Sequence, residues 1–195
     1  MKAKLLCGLV LLLAGCATSA PSHFYTLLPP PQAPAPLTAP FRIDVQPVNL
    51  PEEVSTQQMV VRVGAGELVP VETRRWIAPL ADEFRAALSA DLSRRLGAQD
   101  VHGLAGRNGP VYHVEVKVQR FESALGSYAR IDALWSLHRD GEAPGPVCTS
   151  SISQPVAAGY DALALGHQQA ISALAVQIAA SISAAQQAHA APACS

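Results

Sequence analysis

The sequence predicts an α/β fold. A single domain is expected, with a mixed, mostly antiparallel central sheet of about five to six strands and two main helices, the longer one C-terminal. Three observations carry that expectation. Apolar and polar residues alternate with a period of two over Phe41–Val45, Tyr112–Val118 and Ala129–Leu137, the mark of half-buried strands. Leu80–Leu96 and Asp161–Gln187 instead carry their apolar residues at helical spacing. The chain of 195 residues, 49% of them hydrophobic, has the length and apolar content of one ordinary domain. A formal net charge of −1, with no basic stripe, argues against nucleic acid as a partner.

The N-terminus reads as a targeting segment. Met1-Lys2-Ala3-Lys4 is a short cationic start, Leu5–Leu12 is an uncharged apolar run, and Leu13-Ala14-Gly15 leads into Cys16. A positive region, an apolar region of roughly ten residues and small residues at a cleavage point make a secretory signal. The run is too short for a permanent membrane helix, which needs about 20 apolar residues. Leu-Ala-Gly-Cys resembles the bacterial lipobox, in which the Cys thiol is diacylated, the preceding peptide removed and the new amino terminus acylated. Residues 1–15 are therefore expected to be cleaved, and Cys16 to be the lipidated first residue of the mature chain. In signals of this type an Asp after the Cys favours the inner membrane, so Ala17 points to the outer membrane. The alternative is a soluble periplasmic protein with a chance Cys at its cleavage site. Residues 17–22 reach only about 3.3–3.6 Å each, which keeps the folded domain close to the bilayer.

Residues 16–40 hold the lipidated N-terminus, a short strand around Phe24-Tyr25-Thr26-Leu27-Leu28, and the connector Pro29–Pro36, too rich in Pro for a helix or a central strand. The α/β domain itself is expected over 41–187. In its first strand Phe41, Ile43 and Val45 face one way, and Arg42, Asp44 and Gln46 the other. Met59–Val63 and Leu68–Val71 form two strands joined by the hairpin loop Gly64-Ala65-Gly66-Glu67. Pro70 lacks an N–H and suits an edge or a bulge.

Trp76-Ile77-Ala78-Pro79-Leu80 opens the first helix, with Pro79 in its first turn. Leu80, Phe84, Leu88, Leu92 and Leu96 make its apolar stripe, acidic residues come early and basic ones late, and Gly97 ends it. Tyr112–Val118 and Ala129–Leu137 pair as an antiparallel hairpin turning at Gly126, and Val147–Val156 adds a further strand. The last helix, Asp161–Gln187, carries Leu163, His167, Ala170, Ile171, Leu174, Ile178 and Ile182 on one stripe and Ala, Ser and Gln opposite. At about 40 Å it is longer than the domain's own core is expected to need. Gln168, Gln169, Gln177 and Gln186 argue against a membrane span. Residues 188–195 read as a flexible tail.

Cys7 leaves with the signal and Cys16 takes the lipid, so Cys148 and Cys194 remain as a candidate disulfide in an oxidising periplasm. Two free thiols are the alternative. A bond between them would be structural, because no Cys-x-x-Cys is present. Gly-rich phosphate loops, His-Glu-x-x-His and metal-spaced Cys/His clusters are all missing, so no cofactor, metal or catalytic residue is expected and the chain reads as non-enzymatic. Asp132, Ser136 and His138 share a strand face, but no nucleophile elbow surrounds the Ser, and they read as solvated polar groups. His113 is expected at the surface. Trp76, flanked by Arg74 and Arg75, is the candidate partner interface: an aromatic at a loop–helix junction beside cations suited to lipid headgroups or acidic partners. The competing reading of Trp76 is burial at the helix entry.

The order of motifs carries a resemblance. After the lipobox come Phe24-Tyr25-Thr26-Leu27, Ile43-x-Val45-x-x-Val48-x-Leu50-Pro51, Met59-Val60-Val61-Arg62 and Trp76-x-x-Pro79-Leu80. Tyr112-x-Val114-x-Val116-x-x-x-Phe121 and Ala133-x-Trp135-x-Leu137 complete the series. Along nearly all its mature length the chain resembles the PqiC/YmbA-type ABC-transport auxiliary lipoproteins. The resemblance implies a periplasmic α/β domain tethered to the outer membrane, an accessory to MCE-type systems that move phospholipids or other lipids between membranes. It implies docking of an MCE-domain protein, the hydrophobic conduit of an inner-membrane complex, by a ring of identical subunits. Leu50-Pro51-Glu52-Glu53-Val54 departs from the hydrophobic-then-Arg continuation of the family, and the last helix is less charged. Other envelope-assembly lipoproteins, such as cell-wall synthase activators or export-machine subunits, and a stand-alone lipid carrier are the competing classes. A hydrolase using Ser136 is a distant third.

Overall fold

Among the residues that the computed structural model describes, 20–30, 36–104 and 109–194, seven strands and two helices form. In chain order they are β1 (His23–Tyr25), β2 (Arg42–Val45), β3 (Gln58–Arg62), β4 (Leu68–Trp76), α1 (Leu80–Leu96), β5 (Val111–Ala124), β6 (Tyr128–Arg139), β7 (Cys148–Pro155) and α2 (Tyr160–Ala188). A 3-10 turn, Glu52–Val54, precedes β3. The signal segment, Cys16 and residues 31–35 of the Pro-rich connector lie outside the described residues.

The expected α/β class with two helices, the longer one C-terminal, is what forms. The strands, however, divide into two sheets, of order β1-β4-β3 and β2-β5-β6-β7. β1 runs parallel to β4 and β2 parallel to β5, and the other pairs are antiparallel. The edge of β2 away from β5 is already taken, so no strand joins there. The Ile43 N–H donates to the Gln99 carbonyl at 3.0 Å, and the Val101 N–H to the Ile43 carbonyl at 2.9 Å. Covering that edge also changes the fate of Asp44, expected on the solvent side of its strand. It is 1% exposed, roofed by His102 and His113.

The long hairpin β5–β6 follows its alternation as far as Val118. Between Val118 and Arg120 the register shifts. The extra residue of a bulge swaps the faces of the residues beyond it, so Phe121 and Ser123 turn into the core. Past the shift the hairpin meets the three-stranded sheet: Arg62 Nη2 bonds Glu122 Oε1 at 2.6 Å, and the Tyr128 hydroxyl donates to Glu122 Oε2 at 3.1 Å. Pro70 pairs with Val60, whereas β1 reaches only Arg74–Trp76 of β4, so Pro70 lies where that strand has a neighbour on one side only.

Both helices cover one face of the four-stranded sheet. Phe84, Leu88 and Leu92 of α1 and Ile171, Leu174, Ile178 and Ile182 of α2 meet Val114, Ile131 and Trp135 in one core. Each such side chain contributes roughly 1.5–3 kcal/mol by leaving water. α1 starts at Leu80, with Pro79 at its N-cap rather than inside the first turn, and the Pro79 carbonyl accepts from the Asp82 and Glu83 amides. Gly97, in left-handed conformation at φ 60°, closes the helix as expected.

α2 does not outrun the core. It buries residues from Leu163 to Ala185 and packs on β6, β7 and α1 along its length. At Gly166 a Cβ would lie 2.3 Å from Val156 Cγ1, which shows how near this helix approaches the sheet. Beyond the helix Cys194 is disulfide-bonded to Cys148 at the start of β7, and Pro192 is buried. The segment expected to be a free tail is thus tied down over the described residues 189–194.

Candidate functional site at the N-terminal clamp

The segment that follows the lipidation motif is fixed to the domain by three kinds of bond. Through β1 it joins a parallel ladder, with His23 opposite Arg74, Phe24 opposite Arg75 and Tyr25 opposite Trp76. At its end the Ile77 N–H donates to the Tyr25 carbonyl at 2.8 Å. Glu83, in the first turn of α1 and 5% exposed, supplies the second. Its Oε2 accepts from the Thr26 hydroxyl at 2.6 Å and from the Leu27 amide at 2.8 Å. Gln168 of α2 supplies the third, donating to the Thr26 and Leu28 carbonyls at 3.0 and 3.3 Å. Leu27, fully buried, plugs into the core between these contacts. A buried carboxylate holding two donors is a strong, charge-assisted attachment.

Around the clamp the side chains sort by face. Tyr25 turns towards the helix start, where burial and then the Asp161 carboxylate raise its hydroxyl above the ordinary value. Phe24 and Leu28 remain exposed, as does Leu165 on α2. With Pro29, Pro30 and Ala164 they line an open groove of about 770 Å³, rimmed by Asp161 and Gln168.

Trp76, expected as a partner contact, is 2% exposed. Its indole meets Phe121 and His167 edge-on, at centroid distances of 6.1 and 6.3 Å. The β1–β4 ladder turns it inward, so it packs the helix entry and offers no surface to a partner. Arg74 lays its guanidinium over the Tyr160 ring at 5.1 Å and donates to the Thr73 carbonyl. Arg75 donates to the Glu72 carbonyl and sits beside the exposed Phe24 through the register. The two arginines therefore flank the clamp, while the tryptophan braces it from within.

A description of ABC-type transport auxiliary lipoprotein components fits residues 25–179, beginning inside the clamp and ending in α2. The chain belongs to this family. The chain is similar in fold to a crystal structure of a Xanthomonas campestris protein, with 18% identity and a TM-score of 0.66, covering 86% of this chain and 99% of that one. A second crystal structure, of an uncharacterized protein, aligns with 20% identity and a TM-score of 0.67, over 84% of this chain and 99% of that one. Both likenesses concern the fold. No curated protein matches this sequence.

Elsewhere in the chain the polar groups noted in the sequence engage separate partners. Asp132 pairs with Arg130 and Arg120 and accepts from the Ser151 hydroxyl at 2.7 Å. Ser136 faces Glu115 at 3.4 Å, and His138 stacks on His113 at 4.5 Å. Nothing joins Asp132, Ser136 and His138 into a relay. His113 is more enclosed than expected, with Nδ1 3.1 Å from Asp44 and Nε2 2.7 Å from Asp140, and His102 Nδ1 lies 2.8 Å from Asp44. Among the described residues no group of three or more His, Cys, Asp or Glu is arranged to hold a metal, and no helix is long and apolar enough to cross a membrane. The sheet face turned away from the helices carries an open groove of about 390 Å³ lined by Pro47, Asn49, Glu115, Lys117, Leu134 and Val147.

Proposed function

We propose that this protein is a non-catalytic accessory subunit of an MCE/ABC-type lipid transport system, held on the periplasmic face of the outer membrane by acyl chains on Cys16. Membership of the transport-auxiliary family over residues 25–179 is the observation that carries the reading. The lipobox and Ala17 support the location, and the clamp supports the mechanism. An anchor only seven residues before β1, itself held by Glu83 and Gln168, keeps the domain within a short distance of the bilayer, as a docking subunit requires. The groove over Leu134 and Val147 lies on the sheet face that the helices leave open, and is the surface offered to the MCE-domain protein. Assembly as a ring of identical subunits belongs to the same reading.

Crosslinking of the tagged, lipidated protein in living cells tests it. Recovery of an MCE-domain protein from solubilised envelopes is the expected result, and Leu134→Arg is expected to weaken that crosslink. Recovery of cell-wall synthases with no MCE-domain protein would retire the transport role. A secreted Cys16→Ala form is expected to fold normally yet fail to complement a deletion; full complementation would show that anchoring is dispensable.

A further inference from the structure

We infer that the groove of Phe24, Leu28, Pro29 and Leu165 is a second membrane contact, seated in the interfacial layer of the bilayer that holds the acyl chains. The inference rests on the lipid anchor proposed for Cys16, and goes beyond it by assigning the domain an orientation. Its first basis is distance along the chain. Phe24 is the eighth residue after Cys16, which allows at most about 26–29 Å of extended chain between them. β1 and the Glu83 and Gln168 bonds prevent any slack from being added beyond His23.

The second basis is composition. Large apolar side chains on both lips of the groove are left in water, with Phe24 57% and Leu165 52% exposed. Arg75, paired with Glu72 at 3.7 Å, stands beside Phe24 in the register, and Asp161 lies on the rim, so the apolar side chains rather than charge carry the contact. An exposed apolar face of this kind lies at the headgroup–acyl boundary, at a depth of about 5–10 Å. One acyl-anchored residue fixes position only; a second contact on the folded domain fixes which way the rest of the molecule points. The open face of the four-stranded sheet then keeps a constant attitude to the membrane.

The test uses the full-length acylated protein in vesicles of phosphatidylethanolamine and phosphatidylglycerol with brominated acyl chains. Trp76 and Trp135 are both buried and give a steady background. A Phe24→Trp variant is compared with Val63→Trp, an exposed site by the hairpin loop at the opposite end of β4 from the clamp. Quenching at position 24 is expected to exceed that at position 63 by at least about twofold, the difference between insertion to the acyl boundary and none. Adding Leu165→Glu to Phe24→Trp is expected to reduce it, with flotation unchanged. Equal quenching at both sites, or none at position 24 in protein that floats with the vesicles, overturns the proposal and frees the groove for a protein partner. Protein that carries no acyl mass and does not float overturns the anchor first, and the orientation with it.

Discussion

His167 is the residue whose chemistry is most altered by folding. Its ring stacks on Phe121 at 3.9 Å, Nε2 lies 2.8 Å from the Ser123 hydroxyl, and Nδ1 has no partner. Complete burial lowers its pKa from 6.5 to about 3. A depressed histidine binds fewer protons folded than unfolded between those values, so stability is complete above pH 6.5 and declines as pH falls towards 3. The decline approaches about 1.4 kcal/mol per pH unit. His167→Gln is expected to flatten the difference in urea midpoints measured between pH 4 and pH 7. At the clamp, Glu83→Ala removes a carboxylate that holds two donors, at a cost of about 2–3 kcal/mol. Amide exchange at Leu27 is expected to accelerate ahead of the rest of the core. The burial of His167 was legible from its place on the apolar stripe of the last helix. Its partner was not, because Ser123 lies on the polar phase of β5 until the register shift turns it inward.

At the scale of elements, the disulfide closes the largest covalent loop, with a separation of 46 residues between Cys148 and Cys194. A loop of this size restrains the unfolded chain by about 4 kcal/mol on the chain-entropy account. Cys194→Ser is expected to lower unfolding stability by that order, and mild reduction of the native protein to do the same. Gly166 supplies a second test. Ala there would favour the helix by about 1 kcal/mol but meets Val156 Cγ1 at 2.3 Å and Ala129 Cβ at 3.0 Å, so Gly166→Ala should destabilise alone and recover in part when combined with Val156→Ala, as read by thermal midpoint. Both helices and the β5–β6 hairpin were legible because their periods repeat over many residues. The parallel pairings β1–β4 and β2–β5 were not. Each involves only three or four residues pairing with a distant part of the chain, and nothing in the local pattern records the partner. For the same reason the division into two sheets is not recorded in the local pattern.

Over the whole molecule, acid acts in one direction. Burial tends to raise the Glu122 carboxyl, but the hydrogen bonds from Arg62 and Tyr128 outweigh it and leave it below the ordinary value. At Asp132 burial is likewise overcome, by Ser151 and Arg130. Carboxyls lowered by folding contribute stability that is present above their unfolded values and lost as pH falls through the folded ones. Their loss follows that of His167, and since Glu122 joins the two sheets, the Glu122→Gln variant is expected to lose part of the acid-dependent fall in stability in pH-jump unfolding. The family was legible in the sequence because motif order survives where identity has drifted. The clamp was not, since Glu83 and Gln168 read only as polar residues at helix positions until the fold brought them to Thr26 and Leu27. Those bonds also decide how mechanical load passes through the protein. In a protein anchored and docked as proposed above, a pull would enter at His23 and be shared by the three-residue ladder, Glu83, the two Gln168 bonds and buried Leu27. Load so divided reaches β4, α1 and α2 together, so a pull on the N-terminus is spread over both layers of the fold rather than concentrated on one strand.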